Sequence, residues 1–180
     1  SGPRPERAQG LLRLGWEAQN FKNKHLPDKR LLPADRYLAA VMMDAMLRPL
    51  RSPASSAIVS VFTPCEPLQE VGLNPYNVEG FSCYLSGSCA ERGFLQQAEN
   101  TGISETLCSY HKTFLGAAEK GVLPRPACIV YTNLTCDANL LTFRRLAGMY
   151  SVPVFAIDVP MQQNEDNVAY VADQLRQLAE

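Results

Sequence analysis

The feature that most constrains this chain is an alternation of short apolar runs with longer stretches of helical spacing. SSAIVSVF (55–62), ACIVY (127–131) and PVFAIDV (153–159) read as strands, and LNPYNVEG (73–80) holds a short further one. Between and after them lie segments of ten or more residues with apolar positions three and four apart: FSCYLSGSCAERGFLQQAENTG (81–102), a helix interrupted by Gly87 and Gly93, then SYHKTFLGAAEK (109–120), DANLLTFRRLAGMY (137–150) and NEDNVAYVADQLRQLAE (164–180). A short helix after Pro64 runs through Leu68 to a stop at Gly72. Strands separated by helices pair in parallel through crossovers, so the expected fold class is α/β, a small parallel sheet of about four strands flanked by helices, flavodoxin-like or Rossmann-like. The spacing also predicts helices over 4–24, around Trp16, and over 34–50, ending at Pro49. These give a helical N-terminal segment, 1–54, ahead of an α/β lobe, 55–180.

At 180 residues and 46% apolar content, one domain with an ordinary core is the default. A net charge of −1, with its lysines and arginines scattered, gives no footprint for nucleic acid or an anionic membrane. No run approaches the roughly 18 apolar residues of a membrane span, and SGPRPERAQG has no apolar stretch behind its basic residues, so a cytoplasmic location is expected. Ser1-Gly2 reads as a cloning remnant.

Six cysteines stand at 65, 83, 89, 108, 128 and 136, with no C-x-x-C and no His pair at helix spacing. Ligands of open α/β sheets gather beyond the carboxyl ends of the strands, where helix N-termini offer free N–H groups. Cys65 follows the first strand, Cys136 follows ACIVY, and Cys108 immediately precedes a helix. All three are expected on one rim, each beside a dipole end that favours thiolate, and clustered thiolates suit iron–sulfur clusters, zinc or copper(I). Taken alone, Cys108 and Cys136 read equally well as packed or idle thiols, and Cys83, Cys89 and Cys128 read as packing within helix or strand. Met42, Met43 and Met46 read as core.

The segments LCSYHKTFLGAAEKG and TNLTCDANLLTFRRLAGMYSVPVFAIDVP together resemble the 2-hydroxyacyl-CoA dehydratase family, which includes benzoyl-CoA reductase subunits and double-cubane cluster proteins. The resemblance runs from about Thr63 to Pro160 and rests on the combination CSYH, CD and PVFAIDVP. It implies that Cys108 and Cys136 bind a [4Fe–4S] cluster, with Cys65 as an uncertain third ligand. It also implies a 2-hydroxyacyl-CoA or related CoA thioester as substrate, an ATP-dependent activator protein as electron donor, and a second homologous lobe or subunit that completes the site. The expected activity is dehydration through one-electron reduction of the thioester to a ketyl radical, by a chain that is one lobe and inactive alone. A low-potential reductase of the benzoyl-CoA or double-cubane type and a non-catalytic scaffold are the alternatives. A generic nucleotide binder is a further one, but neither a glycine-rich phosphate loop nor an acidic ribose partner is present.

Other side chains carry two readings each. Glu66 resembles the family's Pro-x-Glu segment and is a candidate proton-transferring residue, or a first-turn glutamate that stabilises a helix N-terminus. His111, one turn beyond Cys108, is a candidate for orienting a cluster ligand or thioester, or a partly exposed helix residue. Asp137 reads as an N-cap or an acid, Asp158 as a site residue or a turn cap, and Ser82, Ser86 and Ser88 as hydrogen-bonding groups with no placed triad partners.

Overall fold

The computed structural model describes residues 5–179. Ser1, Gly2, the Arg4 start of the lead-in helix and the Glu180 end of the last helix lie outside the described residues. The chain runs α1 (Pro5–His25), α2 (Pro33–Arg51), β1 (Ser56–Val59), α3 (Glu66–Glu70), β2 (Asn74–Asn77), α4 (Val78–Gly87), α5 (Arg92–Asn100), α6 (Ser109–Glu119), β3 (Cys128–Thr132), α7 (Ala138–Tyr150), β4 (Val154–Ile157) and α8 (Glu165–Ala179). The four strands form one all-parallel sheet in the order β2-β1-β3-β4, so the fold is α/β as the alternation predicts.

The two faces of the sheet are covered by different helices. Ile58, Tyr76, Ile129 and Tyr131 point into the larger cluster, where Trp16 of α1, Met43, Met46 and Leu47 of α2, Phe81 of α4, Phe114 of α6 and Phe143 of α7 meet. Ala57, Val59, Val130 and Ile157 face the smaller cluster with Leu68 of α3 and Leu175 and Leu178 of α8. Every residue of β1 is buried, the consequence of a central parallel strand with both faces covered.

Local chemistry sets the element ends. Pro33 opens α2, where a missing N–H costs nothing. Asn77 caps α4, its Oδ1 accepting from the Gly80 amide at 2.6 Å, and Asn164 caps α8, accepting from Asn167 at 2.8 Å. Three expectations are corrected. Pro49 lies inside α2 rather than ending it, two residues from the helix's close. The span 81–102 is interrupted at Gly87, where α4 ends, but not at Gly93, which lies inside α5; Cys89, in the turn between the two helices, takes φ 53°. Met43 and Met46 are core, but Met42 is 40% exposed. Helix α6 lies so close to α5 that a Cβ on Gly116 would fall 2.0 Å from the Phe94 carbonyl oxygen, which is why a glycine stands there. No described helix is long and apolar enough to cross a membrane.

Candidate active site at the β1 and β3 rim

The chain leaves β1 for β2 beneath the sheet through α3, then returns to β3 over the other face through α4, α5 and α6. The direction of winding therefore reverses between β1 and β3, and the crevice beyond their carboxyl ends is where such sheets bind ligands. Ser60 stitches this crevice: its Oγ accepts from the Thr132 amide at 3.0 Å and lies 3.0 Å from Thr63 Oγ1. Asn139 of α7 donates to the Thr132 carbonyl at 2.8 Å and to Thr135 Oγ1 at 3.1 Å, tying the loop before α7 to the end of β3. Two buried oxygens here, Thr132 Oγ1 and Asn139 Oδ1, have no partner.

Cys108 occupies the N-cap position of α6 and Cys136 lies two residues before α7; both are exposed. The Ala138 amide donates to Cys136 Sγ at 3.4 Å, while Asp137 makes no side-chain cap, so the cap expected of Asp137 is supplied by the sulfur. An N–H aimed at sulfur is the kind of contact that tunes a sulfur serving as a metal ligand. The two helices that carry these thiols are pinned together by His111 of α6, whose Nδ1 lies 2.8 Å from Thr142 Oγ1 of α7. Lys112 fixes the loop leading to Cys108, its Nζ donating to Glu99 at 2.7 Å and to the Glu105 carbonyl at 2.8 Å.

His111 is buried, not a partly exposed helix residue, and burial lowers its pKa. Thr142 gives its hydroxyl proton to the Ala138 carbonyl at 2.8 Å, so it accepts from His111, whose proton is on Nδ1.

Cys65 differs from the other two candidate ligands. It packs against the smaller cluster beneath the sheet, its Sγ 3.2 Å from the Thr63 carbonyl, and burial followed by the nearby Glu66 charge pushes its thiol up rather than toward thiolate. Among the described residues no three Cys, His, Asp or Glu side chains converge on a metal position, so Cys65, Cys108 and Cys136 are not gathered as one set. Cys108 and Cys136 stand exposed at helix ends, where a soft metal can reach a thiol. Glu66 is exposed at the start of α3, a helix of five residues.

The remaining candidates are occupied locally. Asp158 is held by Asn133 at 2.5 Å and by the Tyr170 hydroxyl at 3.2 Å. Ser82 is buried with its hydroxyl 2.9 Å from the Tyr110 carbonyl, and Ser88 donates to the Tyr84 carbonyl at 3.0 Å. Cys83 and Cys89 are exposed rather than packed, and Cys128 is half-buried.

One acid that no local pattern announced stands on the rim. Glu79, in the first turn of α4, accepts from the Val61 amide at 3.3 Å through Oε1, while its Oε2 is buried without a partner. Burial raises its pKa above the usual carboxylate value. The next residue after Val61, Phe62, is 71% exposed with φ 64°, a left-handed conformation that a bulky side chain rarely adopts and that concentrates at functional sites. The signal for Glu79 in the sequence was only its place just past a short strand.

No curated protein matches the chain. The family model described as 2-hydroxyglutaryl-CoA dehydratase, D-component, matches residues 60–180, about two thirds of the chain, from the end of β1 onward.

Proposed function

This chain belongs to the 2-hydroxyglutaryl-CoA dehydratase D-component family, and from that premise we propose that it forms one α/β lobe of an enzyme that removes water from a 2-hydroxyacyl-CoA at the β1 and β3 rim. The observation that carries the reading is the pair of exposed thiols, Cys108 and Cys136, at the N-terminal ends of two helices locked together by His111 and Thr142. These two cysteines would supply two ligands of a [4Fe–4S] cluster, and groups of a second homologous lobe or subunit would supply the others. When bound, such a cluster supplies single electrons, received from an ATP-dependent activator protein, and an iron that polarises a substrate oxygen.

The chain's own residues handle position and protons. His111, neutral and protonated on Nδ1, keeps the two thiol-bearing helix ends in register. Glu79 is the candidate proton-transferring acid: burial raises its pKa above that of an ordinary carboxylate, while the Val61 amide holds Oε1 at the rim. Glu66, exposed on the lower helix, takes the lesser role of stabilising the α3 terminus.

Anaerobic reconstitution with iron and sulfide tests the ligand set. Iron uptake by the wild-type chain should drop in Cys108→Ser and in Cys136→Ser and persist in Cys65→Ser. Uptake indifferent to Cys108 and Cys136 would remove the basis of the reading.

A further inference from the structure

Among the described residues, Phe62 alone combines a large exposed apolar side chain with a left-handed backbone. It stands in the turn that leaves β1, where the Thr63 amide donates to the Ser60 carbonyl at 3.2 Å and Phe62 takes the third position. A positive φ at that position is ordinarily met by glycine or asparagine, and a phenylalanine there is strained.

The strain persists because neighbours fix the turn from both sides. Ser60 Oγ accepts from the Thr132 amide of β3 and lies 3.0 Å from Thr63 Oγ1, while the Val61 amide donates to Glu79 of α4. Conformations that the surroundings over-determine in this way cluster at active sites and ligand clamps. Phe62 belongs to neither apolar cluster, so packing does not account for it.

The charge of the surrounding rim limits what the ring can meet. The segments at the carboxyl edge of the sheet, 60–65, 78–80, 101–108, 133–137 and 158–164, contain no lysine or arginine, and they carry Glu79, Glu105, Asp137 and Asp158. Basic side chains on the helices that follow Cys108 and Cys136 are engaged elsewhere: Lys112 with Glu99, Arg145 with Glu119, and Arg144 with the Tyr131 hydroxyl. Leu134 and Met161 stand exposed on two of the same segments. Such an edge suits an uncharged apolar group and disfavours a carboxylate or phosphate, which would find no counter-charge.

We propose that Phe62 is the specificity-determining contact for the acyl group of the substrate, and that this group is apolar: an aliphatic or aromatic 2-hydroxyacyl chain rather than the dicarboxylic 2-hydroxyglutaryl named for the family. The inference rests on the dehydratase reading and narrows it. Phe62 adjoins the residue whose amide holds Glu79, so an acyl chain packed on the ring lies beside that acid. A second carboxylate in the same place would lose its water next to Glu79 with no cation to pair it.

Saturation-transfer NMR on the full chain, free of iron, tests this with two probes, 2-hydroxyhexanoyl-CoA and 2-hydroxyglutaryl-CoA. The hexanoyl probe is expected to bind about tenfold or more tightly, with saturation strongest on its methylene and methyl protons. Phe62→Asn, which suits a left-handed turn, should weaken hexanoyl binding about tenfold, leave glutaryl binding unchanged, and keep or raise the thermal midpoint. Phe62→Lys supplies a cation and should reverse the preference. Binding of neither probe, equal binding of both, or a preference for glutaryl would overturn the proposal. Hexanoyl binding unmoved by Phe62→Asn would also overturn it and leave the ring to contact with a second lobe. Iron uptake through Cys108 and Cys136 does not involve Phe62, so the dehydratase reading and this narrowing of it fail separately.

Discussion

His111 on α6 and Thr142 on α7 meet at 2.8 Å, and this bond joins the two helices on the side of the N-terminal ends that carry Cys108 and Cys136. Its direction is fixed from below, because the Thr142 hydroxyl is already committed to the Ala138 carbonyl. The ring is also wedged between Phe114 and Phe143, with centroids 5.1 and 6.4 Å away, so it has little freedom to turn.

Replacing the acceptor should therefore be costly in proportion to a buried donor left unpaired. Thr142→Val, which keeps shape and removes the hydroxyl, is expected to lose about 1–3 kcal/mol of stability in urea denaturation. A loss near zero would mean that His111 finds another partner.

The pH dependence follows from the burial of the same ring, which lowers its pKa below the ordinary 6.5. Above that value both folded and unfolded chains hold His111 neutral and nothing changes. As the pH falls below it, the unfolded chain takes up a proton that the folded one refuses, so stability is lost until the lowered folded value is reached. The denaturation midpoint of the wild type should fall relative to His111→Gln between about pH 6.5 and the folded value, with a slope of at most about 1.4 kcal/mol per pH unit.

Glu79 has the opposite sign. Its folded pKa is raised, so its stabilising contribution is complete below the unfolded value near 4.5 and is lost as the pH rises through the folded one. Glu79→Gln keeps an acceptor for the Val61 amide and replaces an ionisable group by a neutral amide, whose burial costs less. The variant should be more stable than wild type at pH 7, lose that advantage near pH 4, and show turnover of the reconstituted enzyme reduced roughly 10²–10⁴-fold. Unchanged turnover would remove Glu79 from the chemistry.

Thiol reactivity separates the cysteines. Cys83, Cys89, Cys108 and Cys136 are exposed, whereas burial pushes up the thiols of half-buried Cys65 and Cys128. Iodoacetamide labelling read by peptide mass spectrometry should modify the exposed four first, by about tenfold or more in rate. Labelling of Cys65 as fast as Cys108 would restore Cys65 as a candidate ligand.

The sheet was legible because SSAIVSVF, ACIVY and PVFAIDV carry their burial in their composition, and the helices because their apolar residues recur on one side. The placement of Cys108 and Cys136 ahead of helices could be read from local spacing alone. Cys65 could not: the same strand-then-helix spacing precedes α3, but that helix passes under the sheet, and local spacing does not say which face a crossover takes. Glu79 was hidden for a related reason, since its bond to Val61 spans 18 residues and exists only once β2 has paired beside β1. Gly87 marks the end of α4 while Gly93 marks no break, because a glycine within helical spacing weakens a helix without saying whether it breaks there.

The all-parallel sheet also sets a timetable. Central strand β1 gains its first neighbour at residues 74–77 and its second only at 128–132, because each parallel partner waits for a crossover. At about 5–20 residues per second on the ribosome, the buried SAIV strand spends several seconds paired on one side alone. During that interval its free edge is open to any extended chain nearby, which makes the span between β2 and β3 the period in which a nascent chain of this protein most needs a chaperone.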